Sequence, residues 1–158
     1  MILKLQIFFA YFLLSNFSLA SDNGAIEITA NKMEWNKSKN IVIAIGNAKA
    51  IKGKMVITAN KIIANITNNE EADEISALNA EGRVNFKGKN QTATGQNAYY
   101  DLNKDVIILT GNVSLEKLNN VLVGDKLVID FKTGVSKLTG KSENNKVKMK
   151  YNTPEKVN

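Results

Sequence analysis

The chain alternates apolar and polar side chains with the period of a half-buried β-strand. The clearest run is LNAEGRVNFK, residues 78–87, in which every second side chain is apolar on both sides of a central glycine. Similar runs surround two other glycines. The inward-facing residues of the three runs are Val42, Ala44, Ala48, Ala50, Leu78, Ala80, Val84, Phe86, Ile107, Leu109, Val113 and Leu115. Turn signals separate the runs, and the pattern predicts an all-β protein.

A second set of alternating runs lies between these three. Its inward-facing residues are predicted to be Met33, Trp35, Ile62, Ala64, Ile66, Ala98, Tyr100, Leu127, Ile129 and Phe131. Each strand buries one face only, so the strands must lay their apolar faces against one another. Two opposed sheets, or one rolled and concave sheet, satisfy that requirement.

Both sets of runs belong to an internal repeat. Residues 30–63 align without a gap to residues 95–128, and each half divides again into units of about 30 residues. The four units begin at Ala30, Ala59, Gly95 and Gly124. The polar stretch at residues 67–74 is an insertion in the second unit, and we expect it to form a longer loop.

One glycine recurs in the second half of every unit. These glycines are Gly46, Gly82, Gly111 and Gly140. A glycine inside a strand usually marks a bend or a close approach. The four glycines therefore predict a repeated bend that wraps each strand around the core, with close approach by a ligand as the alternative.

Composition and charge narrow the function. The chain has 158 residues, 21 Lys+Arg against 15 Asp+Glu, and neither His nor Cys. Thiol nucleophiles, Ser-His-Asp triads and zinc fingers are thereby excluded, and we expect no enzyme, no catalytic residue and no cofactor. The acidic run at residues 70–74 is interpreted as a solvated loop and not as a metal site, because it has no fixed coordination geometry. The formal charge of +6 favours an anionic partner, but no stacking motif indicates nucleic acid.

The first twenty residues form a separate segment. One positive charge precedes the apolar run LQIFFAYFLL, and Ser18 and Ala20 occupy the small-residue positions ahead of a polar sequence. That order predicts a secretory signal peptide over residues 1–20. An uncleaved membrane anchor is the alternative, because the apolar stretch is about long enough to cross a bilayer. After it we expect a β-domain over residues 21–142, and a C-terminal edge strand and tail over residues 143–158.

Two copies of one pattern carry a resemblance to a known family. The stronger copy is YDLNKDVIILTGNV, residues 100–113, followed by LVGDKLVID, residues 122–130. The weaker copy begins at Trp35 and continues with ITANKI, residues 57–62. With these copies, the chain resembles the OstA/LptA family of periplasmic lipopolysaccharide-transport proteins. The resemblance implies an open, twisted β-jellyroll of two opposed antiparallel sheets, built here from four repeat units, and a location in the periplasm.

In that family the apolar interior receives the acyl chains of lipopolysaccharide. Carried onto the inward-facing positions of this chain, the resemblance implies a lipid groove. Its residues are Trp35, Val42, Ala44, Ile62, Leu78, Val84, Phe86, Tyr100, Ile107, Leu109, Val113, Leu115, Leu127, Ile129 and Phe131. The lysines at positions 52, 54, 87 and 89 are interpreted as solvated strand faces, with attraction of lipid phosphates at the rim of the groove as the alternative.

An open sheet also leaves unpaired edge strands, which can pair with another chain. The predicted edges carry Ile26 and Ile28 at one end and Val147, Met149 and Tyr151 at the other. The resemblance implies that the protein shuttles or bridges lipopolysaccharide, bound by its lipid A acyl chains, from the inner to the outer membrane. The implied partners are the jellyroll domains of an inner-membrane transporter and of an outer-membrane insertion complex, with head-to-tail self-association.

Two other functions remain open from the sequence. One is a membrane-anchored inner-membrane partner of the same fold, which keeps residues 1–20. The other is a packed structural or adhesive β-repeat protein, whose filled core binds nothing.

Overall fold

A computed structural model describes residues 24–68, 72–141 and 145–151 of the protein. Within these residues the chain forms ten β-strands and one 3₁₀ helix, η1 (Lys37–Lys39). The strands are β1 (Ile26–Thr29), β2 (Lys32–Asn36), β3 (Ile41–Lys52), β4 (Met55–Asn68), β5 (Asp73–Lys87), β6 (Gln91–Asp101), β7 (Val106–Lys117), β8 (Asn120–Asp130), β9 (Ser136–Thr139) and β10 (Lys148–Lys150). The all-β prediction is confirmed, and the predicted signal peptide lies outside the described residues.

The strands form one antiparallel meander. Hydrogen-bonded neighbours follow the order β1-β3-β4-β5-β6-β7-β8-β10. In addition, β2 pairs with β3 and β9 pairs with β8. Each of the two outermost long strands therefore carries two short strands on its free side, and adjacent strands of the sheet are near neighbours in the sequence.

Three of the long strands are bent near their middle by β-bulges. In β3, β5 and β7 the residues 46–47, 82–83 and 111–112 oppose a single residue of the next strand. All six residues have a positive φ, between 47° and 84°. A bulge of this kind bends the strand and increases its local twist. The predicted bend is therefore present at Gly46, Gly82 and Gly111.

The bends divide the sheet into two layers. The first layer comprises β1, β10 and residues 48–52, 55–59, 84–87, 91–95, 113–117 and 120–124. The second layer comprises β2, β9 and residues 41–45, 61–68, 73–81, 97–101, 106–110 and 126–130. Apolar side chains of both layers share one buried cluster, so the layers pack face to face.

The two-layered sheet has two distinct sides, the spine and the mouth. The spine is the line of bulges at residues 46–47, 82–83 and 111–112, where the chain passes from one layer to the other. The mouth is the opposite side, where turns of the two layers meet. Its turns include residues 52–55, 87–91 and 117–120 of the first layer and residues 101–106 and 130–136 of the second.

The spine glycines make room for a polar side chain from a neighbouring segment. The pairs are Asn31 with Gly46, Asn60 with Gly82 and Gln96 with Gly111. A Cβ atom added at these glycines would lie only 2.9, 2.5 and 2.6 Å from the respective amide groups. Each amide is the second residue of its repeat unit. The repeat therefore preserves a contact between an amide and a glycine in addition to the alternation of apolar residues.

The fourth unit departs from this pattern. Gly140 follows the end of β9 and does not have a positive φ, so the bend predicted there is wrong. Asp125 occupies the amide position of this unit and accepts hydrogen bonds of 2.7 Å from the Lys141 backbone N–H and from Asn145 Nδ2. After β8 the described chain forms two short strands, β9 in the second layer and β10 in the first. These replace the single long strand that a bulge bends in the other units.

The polar insertion in the second unit also differs from the expected loop. β4 continues to Asn68 and β5 begins at Asp73, and Thr67 pairs with Glu74. Backbone pairing thus continues beyond the apolar part of the two strands. Ladder hydrogen bonds form irrespective of side-chain polarity, which is why the alternation of side chains did not predict this extension.

Candidate functional site

The apolar interior between the layers is the principal candidate site. Twelve of the fifteen predicted groove residues are buried there, each with at most 2% of its surface exposed. These are Ala44, Ile62, Leu78, Val84, Phe86, Tyr100, Ile107, Leu109, Val113, Leu115, Leu127 and Ile129. They belong to a single cluster that draws on both layers. Their contact with lipid stays a prediction.

The other three predicted groove residues lie at the margins of the interior. Val42 and Phe131 are partly buried against the cluster. Trp35 is 66% exposed, although it pairs directly with Val42 in the β2–β3 ladder. Directly paired residues of antiparallel strands point to the same face. Trp35 therefore extends the inner face onto the edge strand β2, where no further strand covers it among the described residues.

The predicted edge residues lie at the two ends of the strand order. Ile26 and Ile28 are in β1, and Ile28 pairs with the buried Ala50. Met149 is in β10 and is exposed, while Val147 and Tyr151 flank that short strand. β1 and β10 both belong to the first layer. The expected positions of the edges are found, and their role as interfaces stays a prediction.

A polar contact joins the layers at the mouth. Lys52 Nζ, at the end of β3 in the first layer, donates a 2.9 Å hydrogen bond to the hydroxyl of Tyr100 in the second. That hydroxyl donates in turn to Asp105 Oδ1 at 2.6 Å. Burial of the ring raises the pKa of Tyr100, and the hydrogen bond to Asp105 and its negative charge raise it further. Tyr100 is therefore a neutral donor over the ordinary pH range.

Aromatic rings lie directly beneath this contact. The ring of Phe131 is 5.8 Å from that of Phe86 and 6.0 Å from that of Tyr100, the latter edge-on. Phe86 belongs to the first layer, so these rings also pack across the interface between the layers. Ring pairs at these separations stabilise the folded protein by more than the burial of their area alone.

Side-chain caps hold the second-layer turns of the mouth. Asp130 accepts hydrogen bonds from the backbone N–H groups of Thr133 and Lys132, and Asp101 accepts one from that of Lys104. The bond from Thr133 is the main reason that the pKa of Asp130 lies below its usual range, and the bond from Lys104 does the same for Asp101. These turns therefore present their side chains at the mouth in a defined conformation.

A cavity of about 360 Å³ opens at the mouth beside these rings. It is lined by Lys52, Lys54, Met55, Gly88, Lys89, Tyr100, Asp105 and Phe131. Sequence reasoning noted three of these lysines but interpreted them as solvated strand faces. The signal that distinguishes them is their position in the turns of the first layer, next to the ends of strands with a buried face.

Candidate metal ligands are not clustered in the described part of the chain. Within residues 24–68, 72–141 and 145–151, no three Asp or Glu side chains are grouped closely enough to hold a metal ion. Nor does this part of the chain contain a helix long and apolar enough to span a membrane.

Comparison with known proteins bears on both the fold and the family. Residues 27–135 match the family described as LptA/(LptD N-terminal domain) LPS transport protein. The crystal structure of LptH, the LptA homologous periplasmic component of the lipopolysaccharide transport device of Pseudomonas aeruginosa, superimposes with a TM-score of 0.73. The match has 16% sequence identity and covers 84% of this chain and 99% of that one. It confirms the predicted open jellyroll.

Two relatives in sequence are lipopolysaccharide export system proteins named LptA. The Escherichia coli K12 protein is 25% identical over 108 residues, which are 65% of this chain and 57% of the relative. The Haemophilus influenzae protein is 28% identical over 134 residues, 80% of this chain and 77% of the relative. The chain thus spans little more than half the length of the E. coli protein it matches.

Proposed function

The chain belongs to the family of LptA and LptD N-terminal-domain LPS transport proteins, and we propose that it is an exported, periplasmic lipopolysaccharide-binding protein. In this proposal the acyl chains of lipid A enter between the two layers, and the protein shuttles or bridges lipopolysaccharide from the inner to the outer membrane. The continuous apolar cluster shared by both layers is the observation that carries the proposal.

The physical basis is the cost of exposing acyl chains to water. Each exposed methylene costs about 0.8 kcal/mol, so a lipid with several chains needs a continuous apolar cover to cross an aqueous compartment. The interior supplies that cover without directional bonds, which lets a chain slide along it. Transport of this kind needs no catalytic residue and no cofactor.

Entry of a chain requires the layers to separate, because the interior side chains already pack against one another. At the spine the layers are joined by continuous backbone. At the mouth they are joined by contacts between side chains, including those of Lys52 with Tyr100 and of Phe86 with Phe131. Opening at the mouth therefore breaks fewer strong interactions, and we assign entry of the lipid to that side.

Partners and location belong to the same proposal. LptH is described as the periplasmic component of its transport device, which supports a periplasmic site for this chain. Among the described strands none pairs with the outer side of β1 or of β10, which supports head-to-tail self-association and pairing with the jellyroll domains of an inner-membrane transporter and an outer-membrane insertion complex. Cleavage after Ala20 would leave Ser21 at the N-terminus, which the intact mass of the exported protein tests directly.

Photocrosslinking tests the proposed interior. A photoreactive phenylalanine replaces Phe86, which points inward, and in a second protein it replaces Asn85, the outward neighbour on the same strand. We expect the probe at position 86 to label lipopolysaccharide and the probe at position 85 to remain unlabelled. Equal labelling at both positions would exclude the interior as the binding site.

A packed structural β-repeat protein is the second candidate. The complete burial of Phe86, Leu109 and Leu127 favours it, since a filled core needs no ligand. Mass spectrometry of the exported protein under non-denaturing conditions separates the two candidates. A bound lipid mass supports transport, whereas a lipid-free protein that also takes up no added lipid A supports the structural role.

A further inference from the structure

The cavity at the mouth combines a positively charged rim with an apolar lining, as a site for a lipid headgroup requires. Lys52, Lys54 and Lys89 line it from the turns of the first layer, against the single carboxylate of Asp105 from the second. Rings of Tyr100 and Phe131 and the side chain of Met55 form its apolar lining. A site with a cationic rim above an apolar floor is complementary to an anionic amphiphile and not to a fully soluble ion.

One of the lysines that line this cavity, Lys52, already has an anionic neighbour that a stronger anion can replace. Lys52 Nζ lies 3.8 Å from Asp105 Oδ1, and the two side chains are 26% and 34% exposed. This separation is longer than a hydrogen bond, so the pair lacks the strength of a charge-assisted hydrogen bond. A phosphate monoester carries a charge of about −1.5 to −2 and three acceptor oxygens, and so interacts with several ammonium groups at once.

The same lysine is part of the contact between the layers. Lys52 Nζ donates to the hydroxyl of Tyr100 and lies 5.4 Å from the centre of its ring. A phosphate that draws Lys52 toward the rim would weaken this contact. Binding at the rim and separation of the layers are thereby coupled through one side chain.

We propose that the mouth cavity binds the phosphate of an acylated amphiphile. The phosphate takes the place of Asp105, and Lys52, Lys54 and Lys89 are its cationic ligands. This exchange releases the contact between Lys52 and Tyr100 and admits the acyl chains of the same molecule over Met55 and Phe131. The inference rests on the proposed transport function and names the part of the ligand that is recognised first.

The test compares two triple variants with equal loss of charge. Lys52→Gln, Lys54→Gln and Lys89→Gln together remove the rim, while Lys49→Gln, Lys126→Gln and Lys137→Gln remove exposed lysines of outward strand faces. Equilibrium binding of diphosphoryl lipid A and of the same lipid without phosphates is measured at low and at high salt. We expect the rim variant to bind diphosphoryl lipid A about 100-fold more weakly, roughly fivefold for each lysine, and the control variant to bind it like the wild type.

A single substitution gives an independent result if the rim variant folds poorly. Asp105 has a φ of 58°, a conformation that Asn tolerates as well as Asp, so Asp105→Asn removes the competing charge without backbone strain. We expect this variant to bind diphosphoryl lipid A several-fold more tightly and the dephosphorylated lipid unchanged. Weaker binding of the diphosphorylated lipid would overturn the proposed exchange.

The remaining outcomes separate this inference from the transport function. If the rim variant binds diphosphoryl lipid A as tightly as the control, the headgroup site is overturned while lipid binding by the interior stands. If the wild type binds neither lipid, the transport function fails and the inference fails with it. If inorganic phosphate displaces the lipid, the cavity is a site for the free anion and the assignment to an amphiphile is wrong.

Discussion

The ammonium group of Lys52 and the hydroxyl of Tyr100 are 2.9 Å apart across the mouth, so a turn of the first layer is bonded to a buried ring of the second. The hydroxyl also donates a hydrogen bond to Asp105, which lies in the turn that follows β6, the strand of Tyr100. One buried phenol thus organises a cation and an anion from different layers. Its removal is the most direct way to weaken the closed arrangement.

Tyr100→Phe removes this hydroxyl and keeps the ring. We expect it to lower the free energy of unfolding by about 1.5–3 kcal/mol, because two hydrogen bonds with charged partners are lost while the aromatic packing remains. Urea denaturation of the two proteins measures the difference. Tyr99→Phe is the matched control, since Tyr99 is 40% exposed on the outward face, and an equal effect of both substitutions would contradict the role of the Tyr100 hydroxyl.

Alkaline pH should destabilise the wild type more than the Tyr100→Phe variant. The folded protein holds the pKa of Tyr100 above the unfolded value of about 10. Its contribution to stability is therefore complete below that value and is lost as the pH rises, because only the unfolded chain releases the proton. At each pH the difference between the unfolding free energies of the two proteins reports the contribution of Tyr100. Parallel pH profiles would contradict this account.

Gly82→Ala should cost more than Gly53→Ala, although both glycines have a positive φ. A Cβ at Gly53 meets nothing within 4 Å, and only the left-handed backbone penalty of about 1 kcal/mol applies. A Cβ at Gly82 would lie 2.5 Å from Asn60 Nδ2, which adds about 1–3 kcal/mol of steric strain. Thermal or urea unfolding compares the two variants. Equal costs would mean that the amide contact at the spine imposes no constraint.

Leu118→Asn should stabilise the protein by about 1 kcal/mol. Leu118 and Asn119 form the two-residue turn between β7 and β8, and both have a positive φ, which favours Asn or Gly over a bulky residue. Leu118 is 75% exposed, so little apolar burial is lost. Leu118→Ala keeps the unfavourable conformation and should leave the unfolding midpoint nearly unchanged. A gain from Ala equal to that from Asn would point to surface hydrophobicity instead of turn geometry.

Trp35 should report the arrival of a lipid. It is the chain's single tryptophan, and it extends the inner face on β2 while remaining exposed. We expect its fluorescence emission to shift to shorter wavelength when lipid A is added, because the indole leaves water for an apolar surface. In a Trp35→Phe, Tyr99→Trp protein the tryptophan lies on the outward face of β6, and its emission should not move. A shift in this control alone would place the lipid outside the layers.

The interior was predictable because each of its strands repeats a local pattern. Alternation identified Val84, Phe86 and Leu109 as inward-facing, and the structure buries all three. The exposure of Trp35 was not predictable in this way. Alternation specifies the face on which a residue lies, whereas exposure depends on whether another strand covers that face, and β2 is an edge.

The contacts across the mouth could not be predicted from the sequence either. Lys52 and Tyr100 are 48 positions apart and meet only because the bends fold one layer onto the other. Their proximity depends on the bend angle, which a glycine permits but does not fix. Gly140 shows the same point, since this glycine at the repeat position lies between the short strands β9 and β10 and has no positive φ.

Because the sheet is a meander, the length of the interior depends on the number of strands. Each additional pair of bent strands would extend both layers by two strand spacings, about 9.5 Å, and would change strand neighbours only at the point of insertion. Duplication of one repeat unit in a gene could therefore lengthen the apolar interior in fixed increments without redesigning the core. The number of units sets the length of the interior, and side-chain size sets only its width.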